Sequence, residues 1–467
     1  MVRTKVTLLI LLVIGVSGAR EYTLDWILRG AFSTSHELRA IEQEMYKADA
    51  QVSEVIGTAF PEVSASFNLS HSLKQYTPSI PEFMETGFSN DSVSFIQQIP
   101  QRASLLNEPG GSESIMRSLT LPKQNSASVS LSITQPLYSQ GKVAIGVRSA
   151  KLQQSMLMCR YQEARLRVKG NTTMLFYSTL VAQNNVEIEH ENLELAQKAH
   201  DLAVLRYEVG VGSELDTLTS KLHLENAYVD LAEAESDLKI AYETLIRRSG
   251  SRTSVADFSV KGEIPNHNYD LTLQDAMERM DEYSPVLSEF RGAAELADER
   301  VKFARSDYHP VLFAGASLSR VGQFDDFDNF AQRETWFDDH RVFIGATWTI
   351  FSGMQRTYRL RQAHMDRSVV YLRKMENEQN FEIKMKSAYE RFKNSQRRLQ
   401  RTVNIQKLAD RGHSVAALSY ENGLVTILEL RNAQLEVKKA RIAHNSALLD
   451  YHAALIELKI LMGDNNF

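Results

Sequence analysis

Hydrophobic and polar residues alternate along four short stretches of the chain. In the clearest of them, Ala127, Val129, Leu131 and Ile133 are separated by serines. A period of two predicts a β-strand with one apolar and one polar face. About ten residues is also the length of a tilted strand that crosses the hydrocarbon of a bilayer. The four predicted strands are residues 61–73, 126–138, 310–320 and 341–351.

Long stretches rich in helix-forming residues follow each pair of strands. Residues 142–206 and 215–247 contain no proline, and two glycines in the short segment between them allow the chain to reverse. A continuous helix of about 65 residues would be about 100 Å long. The pattern therefore predicts long helical hairpins, at residues 141–248 and 354–462, of the kind that forms a rod or a tube.

The returning helix of each predicted hairpin carries a heptad seam in which alanine alternates with larger residues. Spacings of three and four predict packing against a neighbouring helix. His444 interrupts the second seam, and we interpret it as a histidine bonded to a neighbouring side chain. The seams are Leu224, Ala227, Leu231, Ala234, Leu238, Ala241 and Leu245, and Val437, Ala440, His444, Ala447, Tyr451, Ala454 and Leu458.

The chain contains an internal duplication. An offset of 249 residues relates Thr23 to Thr272 and Pro61 to Pro310, and an offset of 213 relates Gly210 to Gly423 further along. The difference indicates a longer loop in the first copy, between its two strands. We predict two repeats, residues 20–250 and 251–467. Each begins with one helix, at about 23–58 and 272–307, and continues with two strands and a helical hairpin.

The beginning of the sequence and its overall composition indicate an export signal and a small net charge. Basic residues precede an apolar run at 6–16, and small residues follow, which predicts a cleaved signal peptide at residues 1–19. The mean hydropathy of −0.30 argues against a bundle of membrane helices. Without Arg3 and Lys5 of the signal, the net charge changes from −5 to −7, which gives no electrostatic argument for nucleic acid.

Motifs for catalysis and for cofactors are missing from the sequence. Gly141-Lys142 lacks the upstream glycine of a Walker loop, no paired cysteines accompany Cys159, and the acidic loop at 321–340 lacks the spacing of a calcium loop. We therefore predict no enzymatic activity, no cofactor and no metal site.

Three features carry a resemblance to a known family. They are the duplicated helix–strand–strand–hairpin unit, the junction QPLYSQG at 135–141, and the paired segments RYEVGVGSELDTL at 206–218 and SYENGLVTILEL at 419–430. In these features the chain resembles the TolC family of outer-membrane efflux proteins. The resemblance implies a mainly α fold with transmembrane β-strands. Three chains would each contribute four strands to one 12-stranded barrel, and their helices would form a periplasmic α-barrel. Val129, Leu131 and Ile133 would then face lipid.

The resemblance also assigns residues at the tips of the hairpins. Glu429 takes the position of an acidic constriction ring, and Asp216 and Tyr420 take the positions of a polar link that holds the entrance closed. Asn432, beside Arg431, stands where a second acidic ring can lie, so two stacked rings are not expected. The implied partners are two further copies of the chain, an inner-membrane transporter, and a periplasmic adaptor docking at the tip glycines, Gly210, Gly212 and Gly423.

Two alternatives remain open from the sequence. Within the channel class, small-molecule, drug or metal efflux is favoured over the outer-membrane channel of type I protein secretion. In another class, a signal peptide and heptad seams are equally typical of a secreted coiled-coil structural or adhesion protein. Strands of membrane length, occurring in pairs at matching places in both copies, argue against that class. Because four strands cannot close a barrel and open edges are not tolerated in lipid, partner chains must supply the rest.

Overall fold

The computed structural model describes residues 20–73, 125–265, 269–324, 336–422 and 424–466, together with the single residues 328, 330 and 332. The predicted signal peptide and Gly423 lie outside the described residues. The chain divides into two compact units, one formed by residues 51–148 and 300–362 and the other by the remainder. The first unit contains the sheet, and the second contains most of the helical residues.

Four antiparallel strands form the sheet, in the order β2-β3-β5-β6. They are β2 (Glu62–His71), β3 (Asn125–Ser139), β5 (Val311–Phe324) and β6 (Trp336–Thr347).

The fourth strand was predicted at residues 341–351, and these bounds were wrong, because the strand runs from Trp336 to Thr347. β5 begins at Val311, which pairs with Thr347, so β6 has no partner beyond that residue. At its other end β6 pairs as far as Trp336, because β5 extends to Phe324 rather than ending at residue 320.

Glycines in β5 and β6 make room for two aromatic rings on the same face. Gly315 pairs with Phe343, and Phe313 pairs with Gly345. A Cβ atom at either glycine would lie within 2.6 Å of the opposite ring, whereas the two rings meet edge to face, 6.2 Å apart. The glycines of β5 and β6 therefore meet a packing requirement and do not indicate weaker strands.

Each repeat opens with two helices where the sequence predicted one. They are α1 (Leu24–Thr34) and α2 (His36–Gly57) in the first repeat, and α5 (Leu273–Tyr283) and α6 (Pro285–Ser306) in the second.

Extended serines at equivalent positions cause these breaks. Ser35 has ψ 112° and Ser284 has ψ 119°. In the second repeat the cause is plain, because a proline at residue 285 disfavours the helical conformation of the residue before it.

The long helices follow the prediction closely. α3 (Lys142–Glu208) and α7 (Gln355–Glu421) have 67 residues each, and α4 (Glu214–Ser249) and α8 (Ile427–Met462) have 36 each. Gly250 and Gly463 end α4 and α8 in the left-handed conformation. None of the helices in the described part of the chain combines the length and apolar character needed to cross a bilayer.

Apolar clusters hold the helical unit together. One lies around Phe176 and Leu245 of the first repeat and Phe258 of the second, and a larger one, within the second repeat, lies around Phe392 and Tyr451. A parallel pair of three-residue strands, β1 (Arg20–Tyr22) and β4 (Phe258–Val260), borders the first cluster and was not predicted. The rings of Tyr22 and Phe258 stack there, 4.7 Å apart.

Candidate channel wall and hairpin tips

One face of the sheet is apolar and exposed. Val129, Leu131 and Ile133 lie along the middle of β3 with 49%, 42% and 42% of their surface exposed. Opposite them on β2 lie Phe67, Ala65 and Val63. Apolar side chains of β5 and β6 extend the same face, with Leu318, Val342 and Ile344 all exposed. A contiguous apolar surface of this kind marks a contact with lipid or with another protein.

The opposite face of β2 and β3 is lined by hydroxyl groups. Three cross-strand serine pairs are hydrogen bonded with Oγ–Oγ distances of 2.7 Å, and all three remain exposed to solvent. Hydroxyl groups satisfied by one another and by water suit a wet surface and not an apolar core. The pairs are Ser64–Ser132, Ser66–Ser130 and Ser70–Ser126.

Polar and aromatic side chains bound the apolar face at the end where β5 and β6 meet their connecting loop. The Arg320 guanidinium lies 3.4 Å from the Asp338 carboxylate and 6.0 Å from the Trp336 ring. The Trp336 indole donates a hydrogen bond to the backbone carbonyl of Phe330, at 2.7 Å. Tryptophan with one polar end and one apolar side is typical of a boundary between hydrocarbon and water.

The first hairpin tip is a tight turn between α3 and α4. Gly210 has φ +78°, and the backbone N–H groups of Val211 and Gly212 both donate to the carbonyl of Arg206, at 3.0 and 2.8 Å. Ser213 then caps α4 by accepting a hydrogen bond from the Asp216 N–H, at 3.1 Å. Gly210 and Gly212 thus have structural roles in closing the turn, beside the docking role that the sequence suggests.

The second tip begins α8 with a capping box. The Glu429 carboxylate accepts hydrogen bonds from the backbone N–H of Thr426, at 2.7 Å, and from its hydroxyl, at 3.0 Å. The Thr426 hydroxyl in turn accepts from the Glu429 N–H, at 3.3 Å. The hydrogen bonds from Thr426 lower the pKa of the fully exposed Glu429 carboxyl. Glu429 is therefore a fixed, ionised side chain at the tip.

Tyr420 lies in a cluster with Arg206 and Asp216. The Arg206 guanidinium stacks over the buried Tyr420 ring, 4.3 Å from its centroid, and donates to the Tyr420 backbone carbonyl, at 3.3 Å. Burial raises the pKa of the Tyr420 hydroxyl, while Arg206 lowers it and Asp216 raises it further. The structure gives Tyr420 and Asp216 an electrostatic interaction and no mutual hydrogen bond, so Arg206 makes the direct contact between α3 and α7.

Asn432 is separate from this cluster. It lies three residues after Glu429 on α8 and is exposed, and Glu429 is likewise exposed. The structure thus brings Tyr420 together with Asp216, and places Glu429 and Asn432 at the start of α8.

Comparison with known proteins now identifies the family. The sequence profile described as outer membrane efflux protein matches residues 27–251 and again residues 277–464. The chain belongs to the outer membrane efflux protein family. The resemblance drawn from the sequence is therefore confirmed, and the two matches agree with a duplicated fold.

Individual proteins are similar to the chain in sequence or in fold. The chain is 23% identical over 130 residues to the outer membrane efflux protein BepC of Brucella suis, and this stretch covers 28% of each protein. A membrane protein from Pseudomonas aeruginosa superimposes with a TM-score of 0.72 at 15% identity, over 94% of this chain and 90% of that one. The Campylobacter jejuni CmeC outer membrane channel gives 0.69 at 15% identity, over 94% and 85%.

Charged side chains connect the two hairpins of this efflux protein further from the tips. The Lys438 ammonium of α8 lies 2.7 Å from the carboxylates of both Glu189 and Asp230, which belong to α3 and α4. Burial lowers the pKa of Lys438, but the hydrogen bonds and charges of the two carboxylates raise it overall. Arg441 adds ion pairs to Glu191 and Asp410.

The remaining residues with potential chemistry have structural roles. His444 Nδ1 lies 3.2 Å from the Thr402 hydroxyl, so the seam histidine is bonded to a neighbour, and burial lowers its pKa. Burial also raises the pKa of the Cys159 thiol. Within the described residues no group of three or more histidine, cysteine and acidic side chains is arranged to hold a metal ion.

Proposed function

We propose that the chain is one subunit of a homotrimeric channel-tunnel that carries substrates out of the cell through the outer membrane. In this proposal the channel is a passive duct. An inner-membrane transporter supplies the energy, and a periplasmic adaptor connects the two. The sheet carries the proposal, because it exposes a continuous apolar face and a serine-lined face on the same strands.

The open edges of the sheet support the trimer. The described sheet ends in β2 on one side and β6 on the other. Edge strands in hydrocarbon leave backbone N–H and C=O groups without partners, which costs several kcal/mol for each group, so strands span a membrane only in closed barrels. Pairing β6 of one chain with β2 of the next gives a ring of 12 strands from three chains. The apolar face would then contact lipid, and the serine face would line the pore.

The tips of the hairpins would form the periplasmic entrance. Around a three-fold axis, three ionised Glu429 carboxylates would attract cations to a narrow constriction. Arg206, stacked on Tyr420 beside Asp216, would help to keep that entrance closed. The tip turns at Gly210, Gly212 and Gly423 would present backbone to an adaptor.

Small-molecule or metal efflux is the proposed use of the channel. BepC is named as an efflux protein, and the family is described by the same activity. We favour this reading over type I protein secretion on that ground.

Native mass spectrometry and planar bilayer recordings on the purified full-length protein test the proposal. We expect a mass of three chains in detergent and discrete cation-preferring conductance steps in bilayers. A monomer that neither enters bilayers nor conducts would refute the channel. Deleting the gene should raise intracellular accumulation of a fluorescent efflux dye and leave the secreted proteins unchanged, and the reverse result would favour protein secretion.

A further inference from the structure

A small, partly open cavity lies between the two hairpins, beside the first turns of α8. Its volume is about 70 Å³, and α3, α4 and α8 all contribute to its wall. Leucines of α8 and polar side chains share the lining. Its charged, amide and imidazole groups belong to Asn192, His223, Asn226, Asp230, Arg431 and Gln434.

Arg431 is the charged group of this cavity that lacks a partner. Its guanidinium makes no ion pair or hydrogen bond with the described residues, although it is partly buried, and burial lowers its pKa. Two other basic side chains that face the neighbouring hairpin have partners there: Arg206 stacks on Tyr420, and Lys438 pairs with Glu189. A guanidinium partly removed from water without a counter-charge is destabilising, and an anion bound in the cavity would offset that cost.

The rest of the polar wall does not supply that compensation. The Asp230 carboxylate also lines the cavity, but it is already paired with Lys438, at 2.7 Å. The buried Nδ1 of His223 has no hydrogen-bond partner in the described residues. Two nitrogen groups, Arg431 and His223 Nδ1, thus lack partners in one cavity, and amide side chains from Asn226 and Gln434 can donate hydrogen bonds beside them.

We propose that this cavity is a binding site for a small planar oxyanion such as acetate, formate or nitrate. One water needs about 10–15 Å³ of cavity space measured in this way, so a cavity of about 70 Å³ has room for several waters or for one anion of three to four heavy atoms. A guanidinium binds a planar carboxylate with two parallel hydrogen bonds. The anion would join α4 of the first hairpin to α8 of the second. The site is independent of the passage of substrate through the channel.

Thermal unfolding of the purified protein tests the site. At fixed pH and ionic strength, replacing gluconate by acetate should raise the melting temperature saturably in the wild type, because a ligand that binds only the folded state stabilises it. Arg431→Gln should abolish that increase. Arg397→Gln is the matched control, because Arg397 is exposed and bonds only within its own helix. The proposal fails if wild-type melting is insensitive to acetate, or if all three proteins respond equally.

A crystallographic measurement on the wild type removes any dependence on the folding of the variant. Crystals grown without acetate and soaked in bromide should show an anomalous peak beside the Arg431 guanidinium, and added acetate should displace it. Water alone in the cavity at high bromide would refute the site. A bromide peak that acetate does not displace would refute the assignment to a planar oxyanion.

Discussion

A charge on the apolar face of β3 should prevent the protein from folding into a membrane. Leu131 is the residue for this test, because it lies at the middle of the strand with Ala65 on one side and Leu318 on the other. We expect Leu131→Arg to lower the free energy of unfolding in lipid vesicles strongly, whereas an arginine on the opposite face should be tolerated.

The magnitude follows from the position of the residue. An arginine on the lipid face of a barrel costs about 2–4 kcal/mol at mid-depth, so three chains in one trimer would lose about 6–12 kcal/mol. That loss is comparable with the whole stability of an ordinary domain, about 5–15 kcal/mol. Ser130→Arg is the matched control. It adds the same side chain one residue away, on the polar face. It also removes the exposed hydrogen bond with Ser66, which contributes about 1 kcal/mol or less in each chain.

Guanidinium titration of vesicle-folded protein measures the difference, with tryptophan fluorescence reporting unfolding and native electrophoresis reporting the trimer. The reasoning is refuted if Leu131→Arg and Ser130→Arg unfold at the same denaturant concentration with the same yield of trimer. That result would mean that the exposed apolar face contacts protein or water and not hydrocarbon.

Three further outcomes are expected. Glu429→Gln should weaken the cation preference of the conductance, and unchanged selectivity would remove Glu429 from the constriction. In the wild type the preference should persist down to pH 4.5, the ordinary pKa of glutamate, because the pKa of Glu429 in the folded protein lies below that value. Tyr420→Phe combined with Asp216→Ala should raise single-channel conductance, and no rise would leave both residues structural. In denaturant titrations Gly463→Ala should cost clearly more than Gly353→Ala, since a Cβ atom would lie 2.3 Å from the Tyr283 carbonyl oxygen at the first position and in open space at the second. The left-handed backbone alone costs about 1–2 kcal/mol, so equal losses would contradict the contact.

The regular elements were predictable because their signals are local. A period of two identifies a strand wherever one face is apolar, and 67-residue helices without proline leave few alternatives. The ends of the strands were less predictable, because they depend on the partner strand. Thr347 ends β6 because Val311 begins β5, and the apolar residues of the next segment, Trp348 and Phe351, misled the prediction.

The helix breaks at the start of each repeat show that a single neighbouring residue decides whether a break can be predicted from the sequence. Ser284 precedes a proline, so that break was open to prediction from the sequence. Ser35 precedes a histidine and adopts a similar backbone conformation, with φ −62° and ψ 112°. Only the equivalence of the two positions, 249 residues apart, connects them. A comparison of the repeats would have found the first break through the second.

The contacts at the hairpin tips also differ in how far the sequence predicts them. The capping box of Thr426 and Glu429 follows a local sequence pattern and could have been read directly. The stacking of Arg206 on Tyr420 joins residues 214 positions apart in the sequence. It depends on which faces of α3 and α7 meet, which no periodicity in either helix specifies. The second repeat has Ser419 where the first has Arg206, so the duplication gave no signal for this contact either.

The contacts between the hairpins change in character along the helices, and this change affects where the proposed entrance can open. Near the tips a polar contact joins the hairpins, where the Arg206 guanidinium stacks over the Tyr420 ring and donates to its backbone carbonyl. Further along, the rings of Tyr177 and His452 lie 4.9 Å apart beside large apolar clusters. Polar partners that separate can exchange each other for water, so a hydrogen bond with one charged partner contributes only about 1.5–3 kcal/mol. Separating buried apolar surface costs about 25 cal/mol for each Å². The two hairpins can therefore part at their tips at modest cost, whereas the clusters beyond act as a fixed base.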